Sequence, residues 1–371
     1  MTKKKVLIVT DFFVPHWTGI VSSLTYLVDQ YSFQYDFSVL TINHTNALPA
    51  HEKLKNATIS RVHHQFGFSR AKISFNLIPQ FIKMISQYET VIINSPNSNV
   101  FLLSLITRLF NKRLVIFHQG DLILTKGIIN RFIEFLFNVQ THIGCMLAHT
   151  VATYTKDYAI HSHILSKYLY KLRSFLFIPK IVLQENHTIS QLSALKKQGV
   201  TIFGFAGRYV DEKGVDILIK AINIITKTEK NLHFFFAGDE TPYEKNNYFQ
   251  KSGKLKKYIT NLGLLNKKSI YNFLSSIDFL IIPSRSDCFP LVQVEALQQG
   301  VPIIVSNIPG ARVPVNETGF GLIFTKEDAT DLAQKIKESV VKRASLLSHK
   351  TSVKSFLNQR NYDKTIISTI G

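Results

Sequence analysis

Short apolar runs that alternate with helical segments constrain the fold of this chain more than any other feature. The runs are Val6 to Thr10, Leu114 to Phe117, Val200 to Ala206, Leu232 to Gly238, Phe279 to Ile282 and Ile303 to Ser306. Continuous apolar runs of this length are typical of strands buried in a parallel sheet. Helical patterns follow several of them, as after Val6 to Thr10 and after Val200 to Ala206. The alternation predicts an α/β protein with doubly wound sheets.

The length of the chain predicts more than one domain. At 371 residues it exceeds the size at which a single hydrophobic core usually divides. Hydrophobic residues make up 45% and charged residues 19%, which is enough apolar material for two cores. The periodic pattern fades between Phe177 and Gly199, where polar residues collect. We therefore expect the boundary between two α/β units in that stretch.

One segment, PSRSDCFPLVQVEALQQGVP from Pro283 to Pro302, carries the most specific chemical signal. Asp287 lies in the loop after a strand, and the segment Leu291 to Gln299 reads as a short helix that ends at Gly300. The first N–H groups of that helix favour an anion or a polyhydroxyl ligand, and Glu295 lies one turn in. An arbitrary pair of carboxylates at this spacing is usually solvated or caps the helix, and it is the surrounding residues that favour a ligand site here.

A second motif follows the strand Val200 to Ala206. Gly207 permits close approach of the backbone, and Arg208 and Lys213 place two cations beside the start of the next helix. Two such cations would neutralise a diphosphate and the charge that it gains when the bond to a sugar breaks. Taken alone, this motif also fits an ordinary charged surface loop.

The Pro283 to Pro302 segment resembles the donor-site signature of the family-4 retaining glycosyltransferases, the glycosyl transferases group 1. It departs from the family in Asp287, where the usual residue is Glu, and in Pro290 at a position that is often Gly. The resemblance implies the GT-B fold, in which two Rossmann-like doubly wound domains face a central cleft. It also implies an acceptor-side domain at 1–185, a nucleotide-sugar donor domain at 186–351, and a helix at 352–371 that can cross back to the first domain.

The resemblance also implies the roles of the site residues. Arg208 and Lys213 would bind the diphosphate, Glu295 the ribose, and Asp287 the donor sugar. Gly238, at the end of the strand Leu232 to Gly238, would let the base or ribose approach, although a plain turn glycine is an equal alternative. The full set is His118, Arg208 and Lys213 as catalytic residues and Gly19, Gly207, Gly238, Asp287, Phe289, Pro290, Leu291, Val292 and Glu295 as donor-binding residues.

The first half of the chain supplies two of these residues. Family members carry Gly-Gly after the first strand, where a backbone N–H contacts the donor phosphate; here the pair is Thr18-Gly19. The loop is not a Gly-x-Gly-x-x-Gly fingerprint, which argues against an ordinary dinucleotide dehydrogenase. His118 ends the strand Leu114 to Phe117, where family members often have a His near the sugar. Asp121 would orient His118 or meet the acceptor, and a structural role for this His is the alternative.

The formal net charge of +19 calls for a partner or a surface explanation. An anionic membrane surface is one, because basic surfaces with exposed aromatic residues are attracted to acidic headgroups. Two segments, 61–85 and 166–182, mix basic and aromatic residues. The alternative is an aromatic stripe that faces the core. No nucleic acid is expected as a partner, because no known module is present and the basic residues are spread over both halves.

Two cysteines, Cys145 and Cys288, give neither a disulfide framework nor a zinc spacing. The resemblance implies no metal and no cofactor besides the nucleotide-sugar substrate. The N-terminus has too few apolar residues for a signal peptide. The uncharged stretch from Phe135 to Thr155 is interrupted by polar residues and is interpreted as a buried helix followed by a strand. We expect a cytoplasmic protein, either free or peripheral on the inner face of the membrane.

Together with the candidate site residues, the resemblance implies a retaining, metal-independent glycosyltransferase. It would move a sugar from a nucleotide-diphosphate sugar to a saccharide or a lipid-linked acceptor, in the synthesis of a bacterial surface polysaccharide or glycolipid. One alternative is a GT-B relative that hydrolyses or epimerises a nucleotide sugar, and another is an inactive relative that only binds the donor. A basic nucleic-acid-binding protein is the alternative from a different class.

Overall fold

The computed structural model describes residues 3–16, 18–68, 71–123, 127–179, 190–239 and 248–371. The chain forms two compact units. Unit 1 comprises Met1–Phe177 and Gln359–Gly371, and unit 2 comprises Ile178–Asn358. Part of the stretch in which the sequence analysis placed the boundary, residues 180–189, lies outside the described residues.

Unit 1 is a parallel α/β unit. Its elements before the crossing to unit 2 are β1 (Lys4–Thr10), α1 (Gly19–Tyr31), β2 (Tyr35–Asn43), β3 (His51–Lys53), β4 (Ala57–His63), β5 (Phe66–Phe68), β6 (Ala71–Ile73), α2 (Leu77–Ile85), β7 (Thr90–Ser95), α3 (Val100–Leu109), β8 (Arg113–His118), α4 (Ile128–Leu147), β9 (Thr150–Thr153), α5 (Lys156–His161), a 3-10 helix (Leu165–Lys171) and β10 (Leu172–Ser174). Over the described residues, the main sheet has eight strands in the order β10-β9-β8-β7-β1-β2-β4-β3. The edge strand β3 runs antiparallel to β4, and the other pairs are parallel.

The apolar runs of the sequence form the middle of this sheet. Val6 to Val9 of β1 are fully buried, and so is Leu114 of β8, because helices cover both faces. The strand order places β1 between β2 and β7, so the chain reverses its direction across the sheet at β1. Ligands of open α/β sheets bind beyond the carboxyl ends of the strands at such a reversal.

Unit 2 has the same kind of architecture. Its elements are α6 (Ser190–Lys197), β11 (Thr201–Ala206), a 3-10 helix (Asp211–Lys213), α7 (Val215–Ile225), β12 (Leu232–Ala237), a 3-10 helix (Gln250–Tyr258), β13 (Ile259–Gly263), α8 (Lys267–Ser276), β14 (Phe279–Ile282), α9 (Leu291–Gln298), β15 (Ile303–Ser306), α10 (Val313–Thr318), β16 (Gly321–Phe324), α11 (Ala329–Val341), α12 (Arg343–Ser348) and α13 (Lys350–Phe356). Among the described residues, six parallel strands pair in the order β13-β12-β11-β14-β15-β16.

Phenylalanine side chains fix the register of the central strands in unit 2. Phe203 of β11 lies opposite Phe234 of β12 and Phe279 of β14. The ring of Phe203 stacks on those of Phe234 and Phe279, with centroids 5.2 Å and 5.3 Å apart. All three are buried, and a one-residue slip would turn them to the opposite face. The register therefore brings the carboxyl ends of β11, β12 and β14 to the same edge of the sheet.

The end of the chain returns to unit 1. The sequence analysis expected one helix at 352–371, but α13 ends at Phe356 and a separate helix, α14 (Arg360–Ile370), follows. Only the second helix belongs to unit 1. Tyr31 donates a hydrogen bond of 2.7 Å to Asp363, and Thr90 donates one of 2.8 Å to the carbonyl oxygen of Ile370.

The expectation of a buried helix in the uncharged stretch from Phe135 was wrong. The helix, α4, exists and is followed by β9, but only Thr141, Gly144 and Cys145 of α4 are buried. Its polar interruptions argue against a membrane span, but four apolar residues in this stretch are exposed: Phe135, Leu136, Val139 and Met146. Among the described helices, none has the length and apolar character needed to cross a bilayer.

Candidate active site

The carboxyl ends of β11 and β12 meet at Gly207 and Gly238. Because the two strands are parallel and in register, both glycines lie at the same edge of the sheet. A Cβ atom on Gly238 would collide with the carbonyl oxygen of Gly207 and lie 3.1 Å from the ring of Tyr209. The φ of Gly238 is also positive, at 153°. Packing of the strand ends therefore requires a glycine at 238, which is the turn-glycine alternative of the sequence analysis.

The two sequence motifs of unit 2 meet in space. Gly214, the N-cap of α7, has φ 66°, and a Cβ atom there would collide with the carbonyl oxygen of Pro283 at the end of β14. Beside this contact, the backbone N–H of Arg285 donates a hydrogen bond of 2.8 Å to the carbonyl oxygen of Glu212. The loop after β11 and the loop after β14 are thus joined by backbone contacts.

Charged side chains of the two loops pair across this junction. The Lys213 ammonium forms an ion pair with the carboxylate of Asp287, and both side chains are largely buried. The Arg208 guanidinium donates a hydrogen bond of 2.6 Å to Glu212 and is about half exposed. The structure therefore brings Lys213 and Asp287 into contact, although they are 74 positions apart in the sequence.

Arg285 fastens the loop that carries Asp287. It binds both carboxylate oxygens of Asp216, on α7, at 2.8 Å each, and it donates to Glu327 at 2.9 Å. It also donates to the carbonyl oxygen of Asp211 at 2.7 Å. These hydrogen bonds raise the pKa of Arg285 further above its ordinary value. Burial opposes ionisation of Asp216, but its bonds to Arg285 hold the pKa of that carboxyl below its usual value.

The helix of the donor-site segment begins as the sequence predicted. α9 spans Leu291–Gln298, with Pro290 as an N-cap that offers no side-chain acceptor to the first N–H groups. Phe289 and Pro290, just before it, are buried, whereas Leu291 and Val292 are half-buried. Glu295 lies one turn into the helix and is half-buried. This geometry leaves the start of α9 without a capping side chain beside Asp287.

In unit 1, His118 lies at the carboxyl end of β8 inside a polar network. One imidazole nitrogen of His118 lies 3.1 Å from the hydroxyl of Ser95, and the other lies 3.0 Å from the carboxylate of Asp121. Ser162 donates a further hydrogen bond of 2.9 Å to Asp121. Burial opposes ionisation of Asp121, but these bonds and the charge of His118 hold its pKa below the usual value. The network fixes the ring of His118.

Gly19, the other predicted residue of unit 1, is the first residue of α1. The side chain of Thr18 accepts a hydrogen bond of 3.2 Å from the N–H of Val21, so Thr18 is the N-cap. A Cβ atom on Gly19 would meet nothing within 4 Å. Packing within the chain therefore gives no reason for a glycine at this exposed position.

The sequence analysis missed Asp11 and Asn97. Asp11 follows β1 directly and accepts a hydrogen bond of 2.7 Å from the side-chain amide of Asn97, in the loop after β7. Burial raises the pKa of Asp11 to about 7. Both residues lie at the carboxyl edge of the sheet, as His118 does, because β1, β7 and β8 are parallel neighbours. A polar residue directly after a buried strand was the signal that could have revealed Asp11.

The two basic and aromatic segments divide between the alternatives. Phe66 and Phe75 of the first segment are exposed, but Phe81 is fully buried. In the second segment Tyr170 is exposed and Phe175 is buried. Neither segment is a continuous exposed aromatic face, so each contributes partly to the core.

Comparison with known proteins shows which family a part of the chain resembles. Residues 189–350 match the family model of the glycosyl transferases group 1. An uncharacterised glycosyltransferase of Methanocaldococcus jannaschii is 34% identical over 150 residues, which cover 39% of this chain and 40% of the relative. The capsular polysaccharide biosynthesis glycosyltransferase CapM of Staphylococcus aureus is 30% identical over 145 residues, 38% of this chain and 36% of the relative. The matched segments span about two fifths of these curated relatives.

Solved structures match over nearly the whole chain. Sucrose-phosphate synthase from Thermosynechococcus elongatus superposes with a TM-score of 0.73 at 15% identity, covering 99% of this chain and 97% of that one. HepE of Anabaena, in complex with UDP, gives a TM-score of 0.72 at 14% identity, covering 99% and 100%. These likenesses confirm the predicted fold class, GT-B. The family match adds that residues 189–350 are similar to the glycosyl transferases group 1.

Proposed function

We propose that this protein is a retaining glycosyltransferase that uses a nucleotide-diphosphate sugar as its donor. One observation carries the proposal, namely the junction of the two motifs in unit 2. Lys213 contacts Asp287 there, and the loops that hold them are tied by the bond from the N–H of Arg285 to the carbonyl oxygen of Glu212. A diphosphate-binding cation and a sugar-binding carboxylate must be neighbours in such a site, since the diphosphate is bonded to the sugar.

Arg208 and Lys213 are the residues that we assign to the diphosphate. Each already contacts a carboxylate, Glu212 or Asp287, so each holds its charge at the carboxyl edge of the sheet. A diphosphate would replace these carboxylates as the partner of the two cations. As the bond between the anomeric carbon and the phosphate oxygen breaks, the electron pair stays on the phosphate, and the cations stabilise that charge.

The sugar and the ribose are assigned to the loop before α9 and to α9 itself. Asp287 and the N–H groups of Leu291 and Val292 would bind hydroxyl groups of the donor sugar, because Pro290, the N-cap of α9, offers no side-chain acceptor. Glu295, one turn further on, would bind the two ribose hydroxyls. Gly207 and Gly238 allow the backbone to form a flat wall at the strand ends, on which the base would lie.

Gly19 and His118 of unit 1 are assigned to the reacting end of the donor. The open space beside Gly19 is consistent with a backbone N–H that contacts phosphate. His118 is held by Ser95 and Asp121, so it would meet the sugar with a fixed ring orientation. These two assignments stay predictions that substitution must test.

The reaction that we propose needs neither a protein nucleophile nor a metal ion. The acceptor hydroxyl attacks the anomeric carbon on the face from which the diphosphate leaves, and its proton passes to the departing phosphate oxygen. The new bond then has the same anomeric configuration as the donor. Proton NMR of the first product tests this step, and an inverted product would refute retention. Full activity in EDTA is expected, and an absolute requirement for a divalent cation would refute metal independence.

The acceptor that we propose is a saccharide or a lipid-linked glycan in surface polysaccharide synthesis. The support is the similarity to CapM, which is named for capsular polysaccharide biosynthesis. The nucleotide of the donor is open to a direct screen of UDP, GDP and ADP and their sugars by thermal shift. HepE, which shares the fold, was solved with UDP, so UDP is the first nucleotide to examine.

The central experiment compares Arg208→Ala and Lys213→Ala with Lys337→Ala. Lys337 pairs with Glu229 at 2.9 Å on the exposed surface of the same unit, so its loss changes charge without touching the proposed site. Turnover of the donor identified by the screen should fall at least about a hundredfold in the first two variants, as when a donor to a developing oxyanion is removed. Near-normal turnover in both would refute the diphosphate assignment.

The same assays separate the proposal from its alternatives. Donor cleavage that is unaffected by any saccharide or lipid acceptor would indicate a hydrolase, and donor binding without cleavage would indicate an inactive relative. A salt-dependent shift of nucleic acid in a gel, without binding of any nucleotide sugar, would favour the nucleic-acid alternative.

A further inference from the structure

The helix α4 of unit 1 turns its apolar stripe towards solvent, whereas helices of water-soluble domains normally turn it towards the core. Seven apolar residues of α4 are exposed: Ile128, Ile129, Phe132, Phe135, Leu136, Val139 and Met146. At 100° per residue they fall within an arc of about 120°. The buried residues Thr141, Gly144 and Cys145 lie on the opposite side. Amphipathic helices normally turn the apolar stripe towards the core.

Small and polar residues allow α4 to pack in this reversed orientation. A Cβ atom on Gly144 would collide with the side chain of Val100 of α3 and lie 3.2 Å from the hydroxyl of Ser104. At Gly144 the backbone of α4 thus packs directly against side chains of α3. The large side chains point outwards, with Ile128 89% exposed and Phe132 and Phe135 60% exposed each.

The two neighbours of α4 extend this outer surface. In α3, Leu102, Leu105 and Leu109 are exposed on the side opposite its buried residues. The 3-10 helix Leu165–Lys171 is bound to α4 through a hydrogen bond of 2.8 Å from Tyr168 to the carbonyl oxygen of His142. It carries Tyr170, which is 77% exposed, beside the end of α4.

The charges around α4 are those that acidic headgroups attract. Exposed basic residues are present in α4, at the end of α3 and in the 3-10 helix: Arg131, Arg108 and Lys167. Glu134 lies towards the inner side of α4, about 100° from Phe135 and about 160° from the middle of the apolar stripe at 100° per residue. The whole chain carries a net charge of +19. An apolar stripe with basic residues at its rim is typical of a helix that lies in a membrane interface.

We propose that the outer face of α4 docks unit 1 onto a bilayer that contains acidic lipids, with the helix parallel to the membrane plane. The helix rises about 30 Å over its 20 residues, so the whole stripe can be immersed at one depth. It lies on the membrane and does not span it, since α4 is not apolar enough to cross. The proposal deepens the proposed function by giving the membrane contact that a lipid-linked acceptor requires, although vesicle binding itself does not depend on catalysis.

The test is sedimentation of the whole protein with vesicles of phosphatidylcholine that contain 30% phosphatidylglycerol. The wild type is expected to bind, and binding should weaken in vesicles of phosphatidylcholine alone and in high salt. The double variant Phe132→Ser and Phe135→Ser should bind at least about tenfold more weakly, because two large side chains no longer leave water. Arg131→Glu should weaken binding to the acidic vesicles only.

The matched control is Phe33→Ser, which replaces a phenylalanine of unit 1 that is 66% exposed outside this surface. It should bind vesicles as the wild type does. Calorimetric binding of the nucleoside diphosphate is measured on every variant, so a loss of fold or a failure of the proposed function is seen separately. A wild type that does not bind the acidic vesicles would overturn the proposal. So would a wild-type dimer that the double variant converts to monomers, because the face would then be an interface between two copies.

Discussion

Replacing Asp287 with asparagine is expected to tighten binding of a nucleoside diphosphate and to slow turnover of the sugar donor. The carboxylate of Asp287 forms an ion pair with the ammonium group of Lys213, which we assign to the diphosphate. A phosphate that binds Lys213 must displace that carboxylate. Asparagine has nearly the same shape but no charge, so it competes far less for the ammonium group.

The size of the effect follows from the burial of the pair. The side chains of Lys213 and Asp287 are 23% and 15% exposed. Exposed ion pairs contribute about 0–1 kcal/mol, and breaking a buried pair costs about 3–5 kcal/mol. A value of about 1.5 kcal/mol is therefore reasonable for this intermediate case, and it corresponds to about a tenfold lower Kd for the nucleoside diphosphate. For the sugar donor, kcat/KM should fall about tenfold or more, because the bond from Asp287 to a sugar hydroxyl is lost.

Isothermal calorimetry with UDP, GDP and ADP measures the first effect, and initial rates with the matching sugar donor measure the second. Glu229→Gln is the control, because it removes a carboxylate from an exposed pair with Lys337 before β12, at the opposite end of that strand from Gly238. It should change neither quantity. A D287N variant that binds the diphosphate no better than the wild type would refute the idea that Asp287 and a phosphate compete for Lys213.

Three further substitutions test other parts of the structure. Gly19→Ala should leave the melting temperature unchanged, since its Cβ meets open space, and should raise KM for the donor several-fold; an unchanged KM would remove Gly19 from the site. Asp11→Asn should stabilise the protein at pH 8 and not at pH 4, because a carboxyl whose pKa is raised from 3.8 to about 7 contributes stability that is lost as the pH rises through that range. Thermal unfolding at pH 8 should show a free energy of unfolding about 2 kcal/mol higher for the variant than for the wild type. This is half of the free energy that corresponds to the full pKa shift, because Asp11 is partly accessible. An equal gain at pH 4 would contradict the titration. Arg285→Ala should lower the free energy of unfolding by about 2–3 kcal/mol, since it leaves Asp216 and Glu327 without their shared partner. The control Lys220→Ala removes a more exposed partner of the same Asp216 and should cost less than about 1 kcal/mol. Equal losses of stability in the two melting curves would show that the Arg285 contacts contribute little.

The strands were the part of the fold that the sequence predicted well. Runs such as Ile202 to Phe205 and Phe279 to Ile282 carry no polar side chain because both faces of each strand are covered. The position of α9 was also predictable, since Asp287 precedes the helix and Gly300 and Pro302 mark its end. In each case the signal is local, so no knowledge of distant contacts was needed.

The resemblance placed Lys213 and Asp287 in one donor site, but direct contacts between distant residues could not be predicted from the residues themselves. The pairing of Lys213 with Asp287 depends on the close approach of Gly214 to Pro283, which only the sheet order brings about. The exposure of α4 was also missed, because an apolar stripe looks the same in a sequence whether it faces a core or water. Asp11 was missed for a related reason, since its partner Asn97 lies in a different loop.

The return of α14 to unit 1 affects the order in which the chain can fold. Residues 359–371 emerge from the ribosome only after unit 2 is complete, yet Tyr31 and Thr90 need them as hydrogen-bond partners. Unit 2 is continuous in sequence and can fold as soon as its last residue has been synthesised. Unit 1 is synthesised first but cannot complete its fold until α14 has been synthesised as well. An early stop near Asn358 would therefore weaken the half of the protein that lies farthest from it in the sequence.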